Sequence, residues 1–133
     1  MDNNPSVDLS FTKSLRLLDS NAYKTVFDDA QIKVSSKQSL LLARLNQNSN
    51  SHIAMPRLGL VIAKKNVRLA TQRNRIKRII RESFRLRQHQ LGGVDTVVLA
   101  RRGLDQLDNN DLHQLFDKLW SQLQKKAAKK VQA

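Results

Sequence analysis

Apolar positions recur along the chain with two different periods. Tyr23, Val26 and Phe27 share one face at three-and-four spacing, behind Asp19 or Ser20 as N-cap, which predicts a short helix over residues 20–28. Short apolar and β-branched runs at 32–35, 40–45 and 58–63 predict three strands. The polar stretch NQNSNSH at 46–52 separates the second and third, so these two strands are expected to form an antiparallel hairpin.

The longest periodic segment opens at Ala70 or Thr71 and continues to about Gln90, before Gly92 and Gly93 stop it. Residues 94–100, VDTVVLA, are nearly all apolar or β-branched, the pattern of a strand buried on both faces. Asp108 then caps a last helix in which Leu112, Leu115, Phe116, Leu119 and Leu123 form one stripe. The order helix, three strands, helix, strand, helix predicts a single α+β domain, an α/β sandwich with one mixed four-stranded sheet covered by helices. The crossover from third to fourth strand would by default be right-handed.

Residues 1–10 lack periodicity and contain Pro5, so they are expected to be a flexible leader to a domain spanning 11–124. Residues 125–133 form a basic tail whose Lys125, Lys126, Lys129 and Lys130 read as solvated, fraying and dispensable charge.

Composition narrows the function. The 133 residues contain no cysteine, which excludes disulfides, thiolate metal sites and cysteine nucleophiles. No export signal and no 18-residue apolar stretch occurs, so a cytoplasmic protein without membrane association is expected. Against 11 acidic residues stand 24 Lys and Arg, a net charge of +13. Such an excess repels itself in a compact chain and calls for a polyanionic partner, nucleic acid first.

Twelve of the 24 basic residues fall between Lys64 and Arg102, against only Glu82 and Asp95. On the long helix, Ile76, Ile79, Ile80, Ser83 and Phe84 form the buried stripe. Asn74, Arg75, Lys77, Arg78, Arg81 and Arg85 lie opposite it, with Glu82 as the sole acid to pair with them. Like charges at this spacing destabilise a helix unless phosphates supply the counter-charge. Arginine outnumbers lysine six to one from Arg73 to Arg87, which suits bidentate phosphate contacts. Arg73 sits at the edge of the apolar stripe, placed either to fold back over the 65–71 loop or to reach RNA beyond the helix N-terminus.

The run RNRIKRIIRESFR at 73–85, preceded by RLGLVIAKKNVRLATQ at 57–72, resembles the signature of the protein component of bacterial ribonuclease P. FTKSLRLL at 11–18, AYKTVF at 22–27 and VDTVVLARRG at 94–103 extend the resemblance over about residues 11–120. It implies the same element order, with a left-handed crossover in place of the default hand. It further implies partnership with a catalytic RNA that removes the 5′ leader of precursor tRNA by phosphodiester hydrolysis. That RNA would bind the Mg²⁺ ions and carry the catalytic groups. Lys64, Lys65, Arg68, Arg73, Asn74, Arg75, Lys77, Arg78, Arg81 and Arg85 would then face the RNA subunit, and Phe11, Arg16, Tyr23 and Phe27 the leader. Ala43 stands where some members place a further cleft aromatic, and 66–72 lacks the glycine some carry.

Protein-borne nuclease chemistry is not expected. His52, His89 and His113 occupy unrelated contexts, while Asp105, Asp108 and Asp111 are explained by capping and dipole pairing at the last helix. The alternative from the charge alone is a structural RNA-binding protein of ribosomal or chaperone type. A DNA recognition helix is disfavoured, because no dimerisation heptads accompany it and its side chains are mostly of the phosphate-contacting type.

Overall fold

A strand as apolar as VDTVVLA needs a neighbour on each side and a covered face above and below, and these demands organise the sheet. The computed structural model describes residues 16–17, 20–46 and 55–132. Its strands are β1 (Ile32–Ser35), β2 (Ser39–Leu45), β3 (Arg57–Val61) and β4 (Val94–Ala100), in the spatial order β1-β2-β4-β3. β1 and β2 form the antiparallel hairpin. β2 runs antiparallel to β4 from Ser39↔Ala100 to Leu45↔Val94, and β3 runs parallel to it from Arg57↔Asp95 to Val61↔Leu99.

The expected hairpin between the second and third strands is therefore corrected: β2 and β3 are not neighbours, because β4 lies between them. Local turn composition suggested adjacency, but burying β4 at the sheet centre overrides it. The hydrogen-bonding capacity of both its edges is then satisfied.

The helices are α1 (Ser20–Asp28), α2 (Ala70–Leu91) and α3 (Asn109–Gln132), with a 3₁₀ turn at Leu104–Gln106 before α3. α2 and α3 pack on one face of the sheet, where Ile76, Ile79, Ile80 and Phe84 meet Leu112, Phe116, Trp120 and Leu123 above Val34, Leu41 and Val98. The Phe84 and Trp120 rings are edge-on with centroids 5.5 Å apart, and the buried indole donates to Ser83 Oγ at 2.8 Å. That bond lets a polar residue sit in the apolar stripe without an orphaned group. α2 ends as read, at Gly92, whose φ of 73° favours a residue without a Cβ.

α1 covers the other face, with Val26, Leu17 and Val97 buried together and Tyr23, Leu42, Val61 and Leu99 packed around them. Ala43 does not face this side. It is fully buried under α2 and α3, so it cannot stand for a cleft aromatic; strand alternation gives that face Leu40, Leu42 and Arg44 instead.

The basic tail also differs from expectation. α3 continues through Lys125, Lys126, Lys129 and Lys130 to Gln132, Ala127 is buried in the main core, and Lys126 Nζ donates to the Lys33 carbonyl at 2.7 Å. The periodic stripe simply runs one more turn, from Leu123 to Ala127. Among the described residues no helix is long and apolar enough to cross a membrane.

Candidate nucleic-acid interface

β3 is an edge strand, and its free backbone groups must find partners outside the sheet. Leu17 N–H donates to the Leu58 carbonyl at 3.0 Å, and Leu60 N–H donates to the Tyr23 hydroxyl at 3.1 Å. The Tyr23 ring lies against Gly59 so closely that a Cβ there would meet Cε1 at 2.6 Å and Cζ at 2.7 Å. Gly59 is thus what admits the ring to the strand. The signal was present in RLGLV, since a lone glycine inside a strand marks a close approach, but it does not say what approaches.

Beside this contact lies an open cavity of about 320 Å³ lined by Arg16, Leu17, Tyr23, Leu58, Leu60, Lys77 and Arg81. It joins two groups that the sequence kept apart: Arg16 and Tyr23, expected to meet the leader, and Lys77 and Arg81, expected to meet the RNA subunit. Phe27, one turn along α1 from Tyr23, is 43% exposed and does not line this cavity. Phe11 lies outside the described residues.

Basic residues of α2 divide by partner. Arg73 takes the first of its two expected roles: its guanidinium donates to the Val67 and Arg68 carbonyls at 3.0 and 2.9 Å, tying the connecting loop to the first turn. Arg75 donates to Gln72 Oε1 at 2.8 Å, Asn109 Oδ1 at 2.8 Å and the Leu107 carbonyl at 3.0 Å, which fastens α2 to the start of α3. Arg87 does the same farther along, reaching Ser121 Oγ and the Asp117 carbonyl.

Arg85 pairs with Glu82, and the hydrogen bond from Arg85 holds the Glu82 carboxyl below its usual range while raising the guanidinium above its own. By contrast, the side chains of Arg78 and Arg81 are exposed and have no protein partner among the described residues, and the same holds for the side chains of Lys64, Lys65 and Arg68. Asn74 is likewise exposed. Lys64 and Lys65 sit in the turn after β3, which Asn66 anchors by donating to the Ala100 carbonyl at 2.9 Å.

The buried carboxylate of Asp95 accepts from Arg57 Nε and an Arg57 terminal nitrogen at 2.9 and 2.6 Å and from Asn46 at 2.9 Å. A bidentate pair of this kind occupies it fully. Among the described residues there is no group of three or more His, Asp or Glu placed to hold a metal ion.

A family model described as Ribonuclease P matches residues 11–124. The ribonuclease P protein component of Pseudomonas aeruginosa is 54% identical over 117 residues, covering 88% of this chain and 83% of the relative. That of Saccharophagus degradans is 48% identical over 120 residues, covering 90% and 85%. Among solved structures, the Staphylococcus aureus RNase P protein shares the fold at a TM-score of 0.72 and 23% identity, over 82% of this chain and 94% of that one. The Thermotoga maritima RNase P protein gives 0.59 at 27% identity, over 74% and 89%. With the family matched over most of its length and close relatives at about half identity, the chain belongs to the bacterial ribonuclease P protein family.

Proposed function

We propose that this chain works as the protein subunit of the ribonuclease P endoribonuclease, holding an RNA subunit and the 5′ leader of precursor tRNA side by side. The observation that carries this reading is the cavity in which Arg16 and Tyr23 meet Lys77 and Arg81. Cations on one wall and a half-exposed aromatic on the other suit a single strand whose phosphates are neutralised while a base stacks.

Lys64, Lys65, Arg68, Asn74, Lys77, Arg78 and Arg81 are available to the RNA subunit's phosphates, with Arg85 beside them sharing its charge with Glu82. Arg73 and Arg75 act differently: they fix the loop and the helix pair that present those cations. Neutralising phosphates lowers the repulsion between two RNAs and makes assembly steeply salt-dependent.

In this reading the chain assists hydrolysis without supplying a nucleophile, and Mg²⁺ and the catalytic groups belong to the RNA. The buried carboxylate, Asp95, is engaged by Arg57. Adding the purified chain to a bacterial ribonuclease P RNA at low Mg²⁺ should restore cleavage of precursor tRNA at the mature 5′ end. Absence of restoration would contradict the assignment, and stable co-sedimentation with ribosomes instead would favour a structural RNA-binding role.

A further inference from the structure

The opposite edge of the sheet carries a second concentration of charge that the α2 face does not explain. From Lys118 to the end of the chain there are five lysines and no acid. Because α3 stays helical and docks through Ala127, three of these lysines, Lys126, Lys129 and Lys130, are held beside β1. Lys126, Lys129 and Lys130 converge with Lys33, Gln31 and Ile32 around a cavity of about 380 Å³ in which no carboxylate takes part. The nearest acids along the chain, Asp28 and Asp29, are engaged by Lys24 and Arg44.

Two ordinary explanations cover only part of this. Lysine guards the exposed edge of a sheet, and Lys126 does so by donating to the Lys33 carbonyl. Cations also complement the negative C-terminal end of a helix, but that benefit fades within the last turn. Neither accounts for the like-charged i,i+4 pairs Lys125/Lys129 and Lys126/Lys130, each of which works against the helix.

We infer that the β1–α3 lysine cluster is a second binding site for an RNA phosphate backbone, separate from the α2 face. Three strand spacings of about 4.8 Å put the β1 edge, beside the lysines, roughly 14 Å from the β3 edge, beside which Lys77 and Arg81 lie, so the two surfaces would meet different stretches of RNA. Lysines act as point charges without the planar fork of arginine, so this contact reads charge and not base sequence. The inference rests on the RNA-binding reading above for the class of partner, but not on ribonuclease P activity.

The test uses a plain RNA duplex as probe and the full chain carrying Lys129→Gln and Lys130→Gln, leaving the edge-guarding Lys126 in place. If each lysine neutralises one phosphate, the wild-type advantage in affinity should shrink roughly tenfold between about 50 and about 200 mM salt. The loss should multiply with that of Arg78→Gln, as independent sites require. Unchanged affinity and salt slope in the folded variant, checked by a Tm no lower than that of the wild type, would overturn the site. Lysine-dependent capture on phosphatidylserine vesicles with no change in duplex binding would overturn it in favour of a membrane surface. Failure to restore precursor-tRNA cleavage, with the lysine-dependent duplex binding intact, would sink the ribonuclease P reading and leave this site standing.

Discussion

Arg75 and Arg78 lie one turn apart on α2 in the same RNR-containing run, yet the protein uses them for different ends. Arg75 is half-buried, with its guanidinium divided among Gln72, Asn109 and the Leu107 carbonyl, whereas Arg78 is exposed and without a protein partner among the described residues. The difference follows from position on the helix. Arg75 projects toward the turn that precedes α3, where unpaired carbonyls need donors, and Arg78 projects toward solvent. A cationic helix face is therefore two populations, one that builds the surface and one that constitutes it.

The largest effect is expected where the ring of Tyr23 meets the backbone. Gly59→Ala would place a methyl group 2.6 Å from Tyr23 Cε1, a clash that backbone and ring must both move to relieve. Destabilisation of about 1–3 kcal/mol by denaturant unfolding is expected, with loss of precursor-tRNA binding. Next, Arg75→Ala should cost about 1–3 kcal/mol of stability by leaving carbonyls at the α2–α3 junction without their charged donor. Arg78→Ala should leave the unfolding midpoint unchanged and weaken RNA binding. Equal Tm losses for the two would erase the distinction between them.

Tyr23→Phe removes the acceptor of the Leu60 N–H and should cost about 1 kcal/mol. Tyr23→Ala should weaken precursor tRNA while sparing mature tRNA; equal loss on both would detach Tyr23 from the leader. The smallest effect concerns Glu82. The hydrogen bond from Arg85 holds its carboxyl below the usual glutamate range, so the pair's contribution is present above that range and is lost as pH falls through the lowered value. Thermal midpoints of the wild type and Glu82→Gln should therefore converge on acidification below the usual glutamate range.

Much of this was legible in the residues. The extent of α1 and of β4, the stop at Gly92 and the buried stripe of α2 follow from periodicity and turn chemistry, which act locally. What local signals could not convey was pairing at a distance. NQNSNSH looks like a hairpin loop whether or not β4 later inserts between the strands it joins. Ala43 could be assigned to a face only once β2 had a neighbour on each side. Lys125 to Lys130 look like a solvated tail until Ala127 is seen to complete the core.

For the site, the charged face of α2 was visible in the sequence, but its division into engaged and available arginines was not. That division depends on carbonyls at 105–109 whose proximity to α2 is a tertiary fact.

The most direct test is the salt dependence of binding to a bacterial ribonuclease P RNA, measured for the wild type, Arg75→Ala, Arg78→Ala and Arg81→Ala under conditions where all four are folded. Arg78→Ala and Arg81→Ala should each reduce the slope of log affinity against log salt by about 1, and Arg75→Ala should leave it unchanged. A slope reduced as much by Arg75→Ala as by Arg78→Ala, with no loss of stability, would contradict the assignment.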